Sequence, residues 1–406
     1  MKIIDLETFV VGNPPPHFGG RYFIFVKLTT QCGIVGYGEC YVATFGPAAI
    51  VEMIKDTFGR YFADMDPHHI ERMTRRAHGS GFSQRPDVSM MGVVSGLEMA
   101  CWDICGKAAD QPIYNLLGGK VHERLRAYTY IYPDADDANP SPGEQPRVYT
   151  DPSVAAERAA YYVDQGFTAV KFDPAGAYSA FDGHQPSLPI LERCEAFCRQ
   201  IREAVGNQAD LLFGTHGQFT VSGAKRMARM LERYDPLWFE EPVPPEMPER
   251  MADVAAFTSV PIATGERLCT RFEFARVLEN KAASILQMNL GRVGGILEAK
   301  KIAGMAETYY AQIAPHLYCG PLVGAANVQL AACSPNFLIL ESIEDWGGFH
   351  AEILKSKMPF EEGHVIPPTS PGLGVELNEN VARANPYNGD LLHLQMSPEP
   401  VTVSDL

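Results

Sequence analysis

Leu237-Trp238-Phe239-Glu240-Glu241-Pro242 and, a little further on, Val260-Pro261-Ile262-Ala263-Thr264-Gly265-Glu266-Arg267 decide the fold. Each is a short apolar run that ends abruptly in carboxylate, and residues 246–257 between them carry apolar side chains at helical spacing. The unit reads as strand, helix, strand. A right-handed crossover joins parallel strands and brings their C-terminal ends to one side of a sheet, so Glu240 or Glu241 should converge with Glu266. Converging carboxylates repel unless a cation lies between them, and a hard, oxygen-seeking ion such as Mg2+ is the natural occupant. One glutamate after a strand would read as a solvent-facing loop residue; two in consecutive units read as a site.

The same alternation continues outward. From Arg126 on, candidate strands fall at 126–132, 169–172, 211–214, 237–239, 261–263, 285–287, 312–314 and 337–340, separated by helical patterns such as 152–165, 188–205, 222–234 and 296–309. Repeated βα units at this spacing predict a closed barrel, with an open doubly wound sheet as the alternative. The preceding 121 residues have a different character. Three β-rich stretches flank a Pro/Gly-rich loop at 12–21, and helical periodicity follows at 47–62, 67–78 and 88–109, an α+β pattern. The division expected is 1–121 as an α+β cap, 122–350 as the barrel and 351–406 as a segment packing back on the cap. Residues 133–149 read as a polar, Pro-rich insertion on the barrel rim.

Composition limits the function classes. A chain of 406 residues with 46% hydrophobic and 20% charged residues is an ordinary globular protein, large enough for two domains. The net charge of −15 argues against nucleic acid and anionic membrane as partners. No apolar run is expected to reach bilayer-spanning length and the N-terminus reads directly as a strand, so a cytoplasmic protein is expected. The 9 cysteines lack metal-site spacing and read as buried thiols.

In a parallel barrel the chemistry lies where strands end. Those positions carry Lys171 and Asp173, then His216, Glu240 and Glu241, Glu266 and Arg267, Asn289, His316 and finally Glu341. Singly, Lys171 reads as a surface lysine, His316 as a core histidine and Arg267 as an ion-pair partner of a glutamate. Jointly they line one rim. A cation held by carboxylates takes up the charge of an enediolate while a histidine or lysine removes the proton α to a substrate carboxylate; a second histidine can protonate a departing hydroxyl.

With Glu-Glu-Pro, Gly-Glu-Arg, Ile285-Leu286-Gln287 before Gly294-Gly295-Ile296, Ala314-Pro315-His316 and Glu341 in this order, the chain resembles the mandelate racemase branch of the enolase superfamily. It is most similar to galactonate dehydratase and related acid-sugar dehydratases. The likeness extends to Gly36-Tyr37-Gly38-Glu39 and Trp102-Asp103-Ile104-Cys105-Gly106-Lys107 in the cap. The resemblance implies a modified TIM barrel, (β/α)7β, under an α+β cap, with Glu240 and Glu266 as Mg2+ ligands. It makes His316 the base, His216 the acid for the leaving hydroxyl and Glu341 a donor to the enolate. Lys171 and Asn289 complete the catalytic set. The loop 12–21 would close over the substrate with His17 and Arg21, and Arg267 and Trp346 would contact it. A homo-oligomer acting on a small acid sugar is expected.

Two departures stand out. The family's first metal-ligand Asp falls on Gly214, so Asp173 or His216 is expected to supply the missing ligand, and the Asp that pairs with the strand-seven histidine is replaced by Asn289. The function expected is metal-dependent dehydration of an aldonate-type acid sugar. A racemase, epimerase or cycloisomerase sharing the same enolate is the alternative, and a catalytically silent acid-sugar binder a third reading.

Overall fold

The computed structural model describes residues 1–82, 84–138 and 145–400. The chain opens with an antiparallel three-stranded sheet, β1 (Ile3–Gly12), β2 (Tyr22–Thr30) and β3 (Val35–Cys40). Helices α1 (Pro47–Tyr61), α2 (Ile70–Gly79) and α3 (Val88–Ala109) follow, α3 lying on β2 and β3. Asp87 caps α3, accepting from Ser89 N and Met90 N. The glycines of the 36–39 motif permit the close approach of α3: a Cβ on Gly38 would lie 2.0 Å from Gly96 O. Here one expectation fails. By length and composition α3 can cross a membrane, but 83% of its most apolar stretch is buried inside the protein, where it forms the centre of the cap. The cysteines are all free, with Cys32 exposed and the others buried.

After α4 (Ile113–Leu116) the barrel runs β4 (Leu125–Tyr130), α5 (Pro152–Asp164), β5 (Ala169–Phe172), α6 (Leu188–Val205), β6 (Asp210–Gly214), α7 (Val221–Leu231) and β7 (Trp238–Glu240). It continues with α8 (Pro248–Ala255), β8 (Ile262–Thr264), α9 (Thr270–Glu279), β9 (Ile285–Leu286), α10 (Ile296–Thr308), β10 (Gln312–Ile313), α11 (Pro321–Ala332) and β11 (Leu340–Ser342). Neighbours from β4 to β10 pair in parallel, β11 pairs with β4, and a bridge between Ile313 and Phe337 closes the ring. The barrel expectation holds over the open sheet.

The barrel interior explains why the site lies where it does. Tyr128, Ala169, Leu212, Trp238, Ala263, Ile285, Ala314 and Ile339 form a buried plug, large and small side chains alternating to fill the taper. Side chains on a strand alternate between faces, so the residues two further on also point inward, one layer higher. These are Tyr130, Lys171, Gly214, Glu240, Gly265, Gln287, His316 and Glu341.

Buried carboxylates dock the cap on this barrel. Glu39, on β3, accepts from Gly320 N at 2.5 Å and Val323 N at 3.0 Å at the start of α11. Glu98 on α3 accepts from Ile296 N and Leu297 N at 2.8 Å each at the start of α10. Both are placed on the positive ends of barrel helices, although burial pushes each carboxyl up to about 7.

The C-terminal segment divides. α12 (Gly348–Glu352) leads to a hairpin of β12 (Phe360–Glu361) and β13 (His364–Val365), and β13 pairs antiparallel with β4. The expectation that all of 351–406 packs on the cap is thus corrected for the hairpin, whose backbone groups complete the barrel's first strand. Beyond it, Leu373 N donates to Asp103 and Pro386 bridges Val11, with α13 (Glu379–Ala384) against β1. Residues 391–399 then cross to the barrel mouth, where Arg21 donates to Leu392 O at 2.9 Å and Ser397 N to Tyr178 O at 2.9 Å.

Candidate active site

Two carboxylates and one ammonium occupy the layer above the plug. Lys171 Nζ lies 2.6 Å from Glu240 Oε1 and 3.6 Å from Glu341 Oε1, and all three side chains are buried. Burial alone would discharge the lysine, but Glu240 and Glu341 hold its pKa well above the ordinary value. Glu240 Oε2 accepts from Trp238 Nε1 at 3.0 Å and from Gln287 Nε2 at 2.7 Å. Oε2 is therefore fully used, whereas Oε1 keeps a lone pair. Glu341 also accepts from Leu317 N at 2.7 Å, and burial raises its pKa.

Glu266 faces the same space from β8. Its Oε2 is buried with no hydrogen-bond partner, and an oxygen of Glu240, an oxygen of Glu266 and a nitrogen of His216 all lie within 4.8 Å of one another. Burial opposes its ionisation, yet the surrounding His316, His216 and Lys171 keep Glu266 well below the usual carboxylate range. An orphaned carboxylate oxygen beside a second carboxylate fits a divalent cation.

His216 does not stand alone. Its Nδ1 is 3.0 Å from Asp173 Oδ2, which also accepts from Tyr178 OH at 2.8 Å. Asp173 was an expected metal ligand; here its carboxylate is committed to His216 and Tyr178, and it lies outside the Glu240–Glu266–His216 group. It orients the imidazole from behind instead. Burial works against a charged His216, but Glu266 and Asp173 outweigh it and raise its pKa to about 9. A cation shared by Glu266 would remove the larger of these two attractions.

His316 sits across the layer, with Nε2 3.1 Å from Glu266 Oε2 and 3.9 Å from Glu341 Oε2. Asn289 Nδ2 is 3.0 Å from its Nδ1, so the expected pairing of Asn289 with this ring is present. Burial lowers His316 to about 4, leaving it neutral.

A cavity of about 290 Å³ opens over Lys171, Asp173, His216, Glu266, His316 and Glu341. Its walls are Tyr41, Tyr130, Tyr132, Tyr149, Tyr178 and Tyr318, with Arg193, Gln145 and Leu394. None of the four expected substrate contacts lines it. Arg267 donates to Glu241 at 2.7 Å and to His216 O at 2.7 Å. Glu241 and His216 have φ of 40° and 47°, so Arg267 clamps two strained residues in the left-handed region. Trp346 is buried against Gly324 on α11, Arg21 holds the C-terminal segment at Leu392, and His17 bonds Asn13 O of its own loop. Of the 133–149 insertion, Gln145 and Tyr149 reach the cavity, and residues 139–144 lie outside the described residues. Tyr130 and Tyr132 were within reach of the strand-end rule, applied to the first strand. Leu394 carries no sequence signal.

Residues 154–381 match the model of the enolase C-terminal domain-like family, and residues 18–118 match that of the mandelate racemase/muconate lactonizing enzyme N-terminal domain. The chain belongs to the mandelate racemase/muconate lactonizing enzyme branch of the enolase superfamily. Among proteins similar to this enzyme, a D-xylonate dehydratase from Haloferax volcanii is 33% identical over 96% of this chain and 90% of its own length. A D-galactonate dehydratase from Ralstonia nicotianae is 34% identical over 93% of each chain. Among solved structures, a mandelate racemase/muconate lactonizing enzyme from Labrenzia alexandrii has 68% identity and a TM-score of 0.94, covering 98% of this chain and 100% of its own. One from Burkholderia SAR-1 has 61% identity and a TM-score of 0.96, covering 100% and 99%.

The departure at Gly214 has a physical counterpart. A Cβ placed there would lie 3.3 Å from Lys171 Cε, so the lysine stem crosses the space into which an aspartate at this position would project. Within the enolase superfamily layout this chain thus sets a buried ammonium where a carboxylate ligand is expected.

Proposed function

We propose that the protein dehydrates an acid sugar of the aldonate type, releasing water to give a 2-keto-3-deoxy acid. The observation that carries this is the placement of two imidazoles on a cavity lined by Lys171, Glu266 and Glu341, with Glu240 paired to Lys171, in a chain similar to acid-sugar dehydratases. Glu240 Oε1 and Glu266 would hold Mg2+, with substrate and water oxygens completing its shell, because a hard ion leaves imidazole nitrogen free for proton transfer. When bound, the ion supplies positive charge to the substrate carboxylate and so acidifies the α-proton.

The chain's own groups do the rest. Lys171 holds Glu240 and Glu341 close, and would face the substrate carboxylate from the barrel axis. One imidazole removes the α-proton and a neighbouring donor stabilises the enediolate. The tyrosine hydroxyls of the wall are donors and acceptors for the sugar hydroxyls, and the crossing of residues 391–399 limits water access. The domain division at 121/122 and 350/351 belongs to the same proposal, supported by family matches that fall on either side of the first boundary. Incubation with a panel of five- and six-carbon acid sugars tests the reading: at least one should yield keto acid in the presence of Mg2+, and epimer without keto acid would place the enzyme among the isomerases.

A further inference from the structure

We propose that Asn289 fixes His316 as the tautomer with hydrogen on Nε2, so that His316 is a hydrogen-bond donor to the substrate and the α-proton is taken by His216. The inference rests on the dehydration reading for its chemical consequence, though not for the tautomer itself. The family resemblance points the other way, to His316 as base.

The amide orientation of Asn289 is set by backbone. Its Oδ1 accepts from Gly291 N at 2.9 Å, so the amino group Nδ2 is the end that faces His316 Nδ1 at 3.0 Å. The same Nδ2 also approaches His316 O at 3.3 Å. Rotating the amide would set its –NH2 against the Gly291 N–H, two donors face to face in a buried site. Nδ2 has no lone pair, so a hydrogen bond here requires a bare, accepting Nδ1. A neutral imidazole then carries its hydrogen on Nε2. Nothing at the other end of the ring opposes this: Nε2 lies 3.1 Å from Glu266 Oε2, without a hydrogen bond, and 3.9 Å from Glu341 Oε2, and no donor among the described residues points at it.

His216 is wired in the opposite sense. Its Nδ1 faces the Asp173 carboxylate, an acceptor, and its Nε2 lines the cavity 3.8 Å from Glu266 Oε1, the carboxylate whose charge a bound cation would take up. His216 Nε2 takes the proton from the carbon α to the carboxylate, and the C–H electron pair enters the enediolate, whose oxygen receives the His316 N–H hydrogen bond. The C–O bond to the β-hydroxyl then breaks as His216 hands the same proton to the departing oxygen, releasing water. Asn289 is a positioning residue, acting through His316.

The test is long-range 1H–15N correlation spectroscopy on the full, ion-free chain labelled with 15N-histidine, with His316 assigned from its loss in H316N. The expected result is a pyridine-like Nδ1 and a protonated Nε2, and Asn289→Asp should invert the pair because a carboxylate accepts from Nδ1–H. A protonated Nδ1 in the unmodified protein overturns the proposal, as does a tautomer indifferent to Asn289→Asp. The unmodified spectrum decides alone if that variant does not fold. With an active acid sugar, α-proton exchange should survive H316N and be lost in H216N; the reverse pattern overturns the assignment. The spectra need no substrate, so failure to find a turned-over acid sugar leaves the tautomer result standing.

Discussion

Replacing Lys171 by methionine keeps most of the stem that crosses Gly214 and removes the charge. The ammonium attracts carboxylate oxygens at 2.6 and 3.6 Å. At an effective dielectric of about 20 those attractions are worth about 6 and about 5 kcal/mol before desolvation is subtracted. Removing one side of a buried ion pair typically costs about 3–5 kcal/mol, because the surviving charges stay buried without compensation. For a chain of 406 residues with about 2.1 cal/mol/K of unfolding entropy per residue, the loss corresponds to a Tm lowered by about 4–6 °C. A cation between Glu240 and Glu266 neutralises part of the same charge. At about 100 times its Kd, Mg2+ should restore about 2.7 kcal/mol to K171M. Its effect on the unmodified protein should be smaller, since Lys171 competes for Glu240. The assay is differential scanning calorimetry of both proteins in chelator and in Mg2+. A variant within about 0.5 kcal/mol of the parent in chelator, or equal Mg2+ shifts in the two proteins, would refute the shared-charge argument.

Two further outcomes concern stability. Glu98→Leu leaves Ile296 N buried and Leu297 N half-buried without acceptors, and at about 1–3 kcal/mol for the buried donor the urea midpoint should fall by the equivalent of at least about 1–3 kcal/mol, with the cap loosening first. His350 and His393 are buried and lowered to about 4 and about 3, in each case chiefly by burial. Their folded pKa values lie below the unfolded value of about 6.5, so the unfolded chain binds protons first and stability falls as pH drops from 6.5 toward 4. Between pH 7 and pH 5 each should account for about 2 kcal/mol of lost stability. His393→Phe should flatten the pH dependence of the urea midpoint, and an unchanged slope would show that the ring is not buried neutral.

Much of the site was legible because barrel geometry converts sequence period into position. Trp238 and Glu240 lie two apart on one strand, so the residue that plugs the barrel and the residue of the layer above it are fixed together; the same step gives Lys171, His316 and Glu341. What failed depended on tertiary partners. Arg267 looks like a substrate cation until the left-handed residues it clamps are known, and Asp173 looks like a ligand until Tyr178 and His216 claim its oxygens. Trp346 follows a strand end yet turns into the space against α11. α11 itself was not read as a helix because it is buried on every side and shows no polar face. The C-terminal crossing at 391–399 has no periodic signal, since loop backbone bonded to other loops leaves none.

Enediolate formation followed by loss of water leaves an isotopic record that proton NMR of the reaction in deuterium oxide reads. With Mg2+ and an active acid sugar, the product should be a 2-keto-3-deoxy acid in which C3 carries deuterium from solvent, and none should form when Glu266→Gln replaces the enzyme. Deuterium appearing at C2 of unreacted sugar with no keto acid formed would contradict it, as would undiminished turnover by the Glu266→Gln protein.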